Sequence, residues 1–175
     1  DLPGLFATLK RLCGSDALVL DPTALVAARH DVYATGVQPL AILALREADT
    51  LGPAIAAITA QGLAVVPRGG GLSYTAGYVL PVGQAVLVDL SRLDRILAID
   101  PVNMTVTVEA GATWKAIHAA LAVHDLRLPF FGTFSGAGAT VGGGLSHGAL
   151  FFGSARYGSA ADILLSMDVV LADGS

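Results

Sequence analysis

The sequence predicts one domain of mixed helices and strands built around a β-α-β unit. Three consecutive signals predict it. An apolar run from Pro39 to Leu45 ends at Arg46 and Glu47; a helical segment capped by Asp49 or Thr50 then runs to about Gln61; and a second apolar run spans Leu63 to Val66. Gly62 supplies the helix stop, and the short, partly β-branched second run suits a strand covered on both faces. The unit closes at Pro67. At 175 residues the chain has room for one sizeable core, so a single domain is the starting expectation.

The remaining elements follow the same logic. Leu5 to Leu12 has apolar residues at helical spacing, with Lys10 and Arg11 near its end and Gly14 beyond as a stop. Val86 to Leu90, Arg95 to Ile99 and Met104 to Glu109 read as strands. The last alternates Thr105, Thr107 and Glu109 against Met104, Val106 and Val108, and Asp100, Pro101 and Asn103 supply the preceding turn. Thr113 caps a second helix, whose Trp114, Ile117, His118 and Leu121 share one face before it stops around His124 and Asp125. Ile163 to Leu171 reads as a final strand, and Ala172 to Ser175 as the first residues of a hairpin turn, with Asp173-Gly174 favouring positive φ.

Composition narrows the functional classes. Hydrophobic residues make up 54% and charged residues 14%, which excludes a disordered chain and leaves much of the surface suited to contact. A net charge of −4 gives no electrostatic footprint for nucleic acid. Cys13 is the only cysteine, so a cysteine-rich metal site and an internal disulfide are both excluded, and a reducing, cytoplasmic setting is expected. No basic segment followed by an apolar stretch marks a signal peptide. Leu128 to Ala155 carries no Asp, Glu, Lys or Arg, yet its glycines, at about 1 kcal/mol each in a helix interior, argue against a membrane span. A buried irregular segment is expected there.

Two glycine-rich segments carry the chemistry. In Val66-Pro67-Arg68-Gly69-Gly70-Gly71-Leu72-Ser73-Tyr74, three successive glycines permit positive φ and remove every Cβ, so backbone N–H groups can converge on an anion such as a pyrophosphate. Arg68 can add a charge-assisted contact, and the hydroxyls of Ser73 and Tyr74 can donate to phosphate oxygens. The plainer alternative is a flexible turn. The loop is not the nicotinamide fingerprint, because no G-x-G-x-x-G opens a helix, and no lysine follows as in a Walker loop. The second segment runs from Gly132 through Thr133, Ala139, Thr140, Val141, Gly142, Gly143, Gly144 and Ser146 to Gly148, between Phe130, Phe131, Phe151 and Phe152. Bare backbone among aromatics suits a planar ligand lying on main chain, and a dinucleotide would span both loops. Close packing of backbone on backbone is the alternative.

Other polar residues carry weaker signals. His147 reads as a hydrogen-bonded loop histidine, His118 as structural, and His30 with Asp31 as part of an entry loop without a specific role. Glu109 reads as a solvated strand end and Arg156 with Asp162 as a positional ion pair. No histidine, cysteine and carboxylate set has metal-ligand spacing, and no catalytic residue is identified.

Taken together, Pro67 to Tyr74, Thr140-Val141-Gly142-Gly143-Gly144, and Arg156-Tyr157-Gly158 with Val169 to Gly174 resemble, in order and spacing, the vanillyl-alcohol oxidase or p-cresol methylhydroxylase (PCMH) family of FAD-linked oxidases. The resemblance covers about Pro39 to the C-terminus. It implies residues 1–38 as a helical and extended lead-in and 39–175 as a PCMH-type FAD-binding domain, an α+β fold of two α/β subdomains, incomplete at its C-terminus. FAD contacts would fall on Pro67 to Tyr74, on Gly132 and Thr133, on Ala139 to Ser146, and near Gly111 and Val170. The implied activity is oxidation of a hydroxy acid, alcohol or sugar by hydride transfer to FAD, with oxygen or another electron acceptor and with a missing substrate domain or partner subunit. Some relatives attach FAD through a histidine where Leu72 stands, or a cysteine where Gly138 stands, so noncovalent FAD is expected here. A noncatalytic flavin or nucleotide module, and a phosphate-binding domain of another kind such as a sugar-nucleotide enzyme, are the other classes open to the sequence.

Overall fold

The computed structural model describes residues 1–81, 83–132 and 136–175. They fall into two compact units: unit 1 holds Asp1–Arg68, Ser73–Arg92 and Asp168–Ser175, and unit 2 holds Gly69–Leu72 and Leu93–Met167. Each has its own core. The residues are a mixture of helix and strand, as the α+β reading requires.

Unit 1 is a sheet with helices, in the strand order β1-β2-β4-β3, where β1 is Leu18–Val19, β2 Ala41–Ala44, β3 Ala64–Arg68 and β4 Ala85–Asp89. β2, β4 and β3 are parallel, while β1 is antiparallel to β2. The expected β-α-β unit therefore exists, but β4 inserts between its two strands. In-register pairing sets Val19 beside Ile42, Ile42 beside Leu87 and Leu87 beside Val66, one apolar stripe across all four strands. Leu25 and Ala28, from and just after the helix α2 (Pro22–Ala27), cover that stripe together with Tyr78. The intervening residues Leu43, Val86 and Val88 face the other side and are as fully buried. Helices α1 (Leu2–Cys13) and α3 (Leu51–Thr59) pack on each other through buried faces that include Leu5, Leu9, Ala54, Ile55 and Ile58.

Caps follow chemistry more than position. Gly14 ends α1 at φ +91°, a conformation that side chains resist, and Asp21 caps α2 by accepting from Ala24 N–H at 2.8 Å. The expected cap on α3 is not made. Thr50 Oγ1 donates to the Glu47 carbonyl at 2.7 Å, closing a 3₁₀ turn over Ala48–Thr50 from which α3 continues. β3 also departs from expectation. It lies at the sheet edge with Ala64 and Pro67 exposed, and an edge is where a proline, which lacks an N–H, is tolerated.

Unit 2 pairs β5 (Ile96–Asp100) with β6 (Thr105–Val108) through a turn in which the Asp100 carboxylate accepts from Val102 N–H, Asn103 N–H and the Asn103 amide. Ile99, Val106 and Val108 pack with Ile117 and Leu121 of α4 (Trp114–Ala122), which Thr113 caps by accepting from Ala116 N–H at 3.2 Å. Two short helices follow, α5 (Val141–Ser146) and α6 (Ser154–Tyr157). The glycine-rich segment expected to be irregular is thus partly helical. Thr140 is the reason, since its side chain caps α5 by accepting from Gly143 N–H.

Ile163 to Leu171 forms no strand pairing among the described residues. The Ser159 and Asp162 side chains lock a 3₁₀ turn over Ala160–Ile163, after which Leu165, Met167, Val169 and Leu171 run exposed. The apolar run predicted β structure, but a strand needs a pairing partner. The turn after it is present: Leu171 N–H donates to the Ser175 carbonyl at 2.8 Å, and Gly174 sits at φ +86°.

Glu109 is not solvated, being only 7% exposed. Its carboxylate accepts from Arg95 at three places, the backbone N–H, Nε at 3.0 Å and Nη2 at 2.8 Å. Those bonds outweigh burial and hold its pKa below the usual glutamate value. A lowered folded pKa contributes stability above the unfolded pKa and loses it as pH falls through the folded one. Glu109→Gln is expected to cost about 1–3 kcal/mol at neutral pH in urea unfolding, a gap that shrinks on acidification below the ordinary carboxylate range. A gap independent of pH would contradict this assignment.

Candidate functional site

The first glycine loop is entered from β3, whose last residue, Arg68, is fixed by Leu90 N–H donating to its carbonyl at 2.8 Å. Its guanidinium lies 5.2 Å from the Tyr78 ring centroid and 3.9 Å from the Asp89 carboxylate. Nε of Arg68 is buried without a hydrogen-bond partner among the described residues. Burial pushes the Tyr78 hydroxyl up, against the opposing charge of Arg68. Beyond the glycines, Ser73 differs from expectation. Its hydroxyl donates to Asp31 Oδ2 at 3.1 Å and accepts from Thr75 and Gly77 N–H, so its hydrogen is already directed into the protein. Tyr74 is exposed, as is Pro67 on the edge strand.

Within unit 2, Gly69 to Leu72 lies directly on Gly138 to Thr140. A Cβ on Gly70 would collide with the Gly138 carbonyl, and one on Gly69 with the Thr140 hydroxyl. Gly71 adopts φ +70°, the left-handed turn that only glycine makes without strain. The two segments that the sequence singled out are therefore one structure, with glycine required by backbone approach as well as by conformation.

The amides separate into two groups. Those of Val141, Gly142, Gly143 and Gly144 donate to the Ala112 carbonyl, the Ala110 carbonyl, Thr140 Oγ1 and the Thr140 carbonyl. Gly111 N–H is likewise engaged, by the Leu93 carbonyl at 2.7 Å, and Ser146 Oγ donates to the Gly143 carbonyl. By contrast Gly69, Gly70, Leu72, Gly138 and Ala139 donate no backbone hydrogen bond to a described residue, and each is partly or fully exposed. The donors available to an anion thus sit where the two segments meet.

Several glycines serve packing. Gly132 lies against the Trp114 indole, Gly142 against Ala110, and Gly144 3.1 Å from both Trp114 and Phe151, measured from an added Cβ. Trp114 is buried edge-on to Phe151 at 5.2 Å, and its Nε1 has no hydrogen-bond partner among the described residues. His118 is structural as expected: Nε2 is 2.7 Å from the Phe130 carbonyl and the ring stacks on Phe131 at 3.9 Å. His147 follows α5 and is exposed. The expected Arg156–Asp162 pair is replaced, with Asp162 taken by Ser159 and Arg156 over the Tyr157 ring. Val170 lies in unit 1 near Gly52, and Thr133 falls outside the described residues. No group of three metal-ligating side chains occurs among the described residues. The Gly70–Gly138 carbonyl contact and the Asp31 hydrogen bonds across about 40 positions were not legible in the sequence, because neither leaves a local pattern.

A family model described as an FAD binding domain matches residues 39–175. The chain belongs to that family. Among curated relatives, a D-lactate dehydrogenase (cytochrome) of Saccharomyces cerevisiae is 32% identical over 118 residues, covering 66% of this chain and 19% of the relative. Among solved structures, a xylooligosaccharide oxidase from Myceliophthora thermophila in complex with xylobiose is 26% identical with a TM-score of 0.81, covering 98% of this chain and 36% of that one. A p-cresol methylhydroxylase with substrate bound shares the fold at a TM-score of 0.76 and 20% identity, covering 99% and 34%. The resemblance drawn from the three motifs is borne out. This FAD binding domain spans about a fifth of the length of that curated relative.

The residues present fit FAD. The amides of Gly69, Gly70, Leu72, Gly138 and Ala139, which donate to no described residue, and the bare backbone at Gly69 and Gly70 are the kind of donor set that suits a pyrophosphate. Gly70→Ala is expected to cost about 1–3 kcal/mol in denaturant unfolding and to weaken FAD at least about tenfold in a fluorescence titration. Unchanged affinity would show that this contact does not shape the site.

Proposed function

We propose that this chain is the cofactor-holding part of an FAD-dependent oxidoreductase acting on a CH–OH substrate, a hydroxy acid, alcohol or sugar. The observation that carries it is the packing of Gly69 to Leu72 on Gly138 to Thr140, which brings together the amides of Gly69, Gly70, Leu72, Gly138 and Ala139, none of which donates to a described residue. The D-lactate dehydrogenase and the oxidase bound to xylobiose, one named for a hydroxy acid and the other for a sugar chain, support the substrate class.

Gly69, Gly70, Leu72, Gly138 and Ala139 bind the pyrophosphate through backbone N–H groups, in a loop that holds no lysine. Gly71 at φ +70° turns the chain so that successive amides converge. Thr140 holds α5 in place beside the loop by capping it. When bound, FAD supplies the hydride acceptor for oxidation of the CH–OH carbon and passes the electrons to oxygen or another acceptor. The substrate contacts and that acceptor are assigned to a further domain or partner subunit.

Attachment is noncovalent. Leu72 and Gly138 occupy the two positions where some relatives carry the bonding side chain, and neither offers a nucleophile. The Leu72 Cδ1 lies 3.2 Å from where a Gly138 Cβ would stand, so the two positions are neighbours. The compartment is proposed to be the cytoplasm, from the one free cysteine, Cys13. No helix among the described residues is long and apolar enough to cross a membrane.

The test is the absorption spectrum of the purified protein reconstituted with FAD, before and after acid precipitation. Flavin bands that move to the supernatant are expected. Bands that stay with the precipitate would overturn noncovalent attachment, and a protein that takes up no FAD would overturn the assignment of the amides.

A further inference from the structure

Asp31 sits far from the glycine loop in sequence, yet its carboxylate gathers four hydrogen bonds, two of them from residues 73–76 that follow that loop in the chain. Its Oδ1 accepts from Tyr33 N–H at 2.7 Å and Ala34 N–H at 2.6 Å. Its Oδ2 accepts from Ser73 Oγ at 3.1 Å and Ala76 N–H at 2.8 Å. One carboxylate thus ties residues 31–34 to residues 73–76.

The tie is doubled and relayed. Val32 N–H donates to the Ser73 carbonyl at 3.0 Å, a backbone bond beside the side-chain one. Ser73 Oγ, with its hydrogen given to Asp31, accepts from Thr75 N–H at 3.2 Å and Gly77 N–H at 3.0 Å. Residues 73–77 lack helix and strand, so no regular backbone ladder holds them. Burial raises the Asp31 carboxyl and the four donors lower it by more, leaving its pKa below the ordinary aspartate value.

Ser73 is the residue immediately after Leu72, and Arg68, the residue immediately before Gly69, is held by β4. A loop that binds an anion through amides loses affinity if those amides must first be ordered, because ordering subtracts from binding. The Asp31 network also engages the amides of Thr75, Ala76 and Gly77 while leaving those of Gly69, Gly70 and Leu72 to a ligand.

We infer that Asp31 is a positioning residue for FAD, fixing the exit of the pyrophosphate loop through Ser73 without touching the cofactor. The inference rests on the FAD reading above. Asparagine at this position keeps one acceptor oxygen and presents N–H groups where Asp31 now accepts, so it serves only part of the network. Alanine serves none of it.

The experiment is an FAD titration by flavin fluorescence of the full chain, wild type against Asp31→Asn, Asp31→Ala, Ser73→Ala and the variant carrying both Asp31→Ala and Ser73→Ala, with amide hydrogen exchange of each unliganded protein. Expected are FAD binding by the wild type, a loss of about tenfold in Asp31→Ala and less in Asp31→Asn, and a loss in Asp31→Ala that Ser73→Ala does not deepen. Exchange should quicken at Thr75, Ala76 and Gly77 while β2 and β4 keep their protection. Two results would overturn it: unchanged FAD affinity in Asp31→Ala, or weakened affinity with faster exchange throughout β2 and β4, which marks general loosening of the fold. A wild-type chain that binds no FAD would instead overturn the reading beneath it, and this inference with it.

Discussion

The contact on which the site depends is the approach of the Gly70 backbone to the Gly138 carbonyl, too close for any side chain at position 70. It brings together two stretches of chain about 70 residues apart, and the amides of Gly69, Gly70, Leu72, Gly138 and Ala139, which donate to no described residue, lie on those stretches. Every other feature of the nest is consistent with it. Gly69 is bare where the Thr140 hydroxyl stands, Gly71 turns through positive φ, and Thr140 caps the helix that engages the amides of the second segment. Glycine here is required by geometry rather than by flexibility.

That geometry divides the glycines between the two readings that the sequence left open. Backbone packing accounts for Gly132, Gly142 and Gly144, which lie against Trp114, Ala110 and Phe151. In the first loop and its contact strip, the N–H groups of Gly69, Gly70, Leu72, Gly138 and Ala139 donate to no described residue, which is the set the proposed FAD site draws on. The same residue type serves both ends because removing Cβ permits close approach whether the approaching atom belongs to the protein or to a phosphate.

Much of this was legible in the sequence, for reasons that also explain the misses. β2 and β4 are central strands buried almost throughout, so their apolar runs stand out, and Thr113 caps α4 by the local chemistry its position announces. β3 reads alike but lies at an edge, because strand order is set by pairing and not by the run itself. Ile163 to Leu171 has the composition of a strand without a partner among the described residues. Glu109 looks like a solvated strand end until Arg95, 14 residues away, is placed over it. Asp31 was visible only as a polar residue in a loop, since its partners Ser73 and Ala76 lie 42 and 45 positions further along.

The central claim concerns which amides receive the pyrophosphate, and it is tested most directly by following backbone amide resonances while titrating the chain with ADP, which carries a pyrophosphate and no flavin ring. The account predicts the largest shifts at Gly69, Gly70, Leu72, Gly138 and Ala139, with Gly142 and Gly144, whose N–H groups are held by Ala110 and Thr140, scarcely moving. Shifts concentrated on Val141 to Gly144 with the first loop unmoved would contradict it.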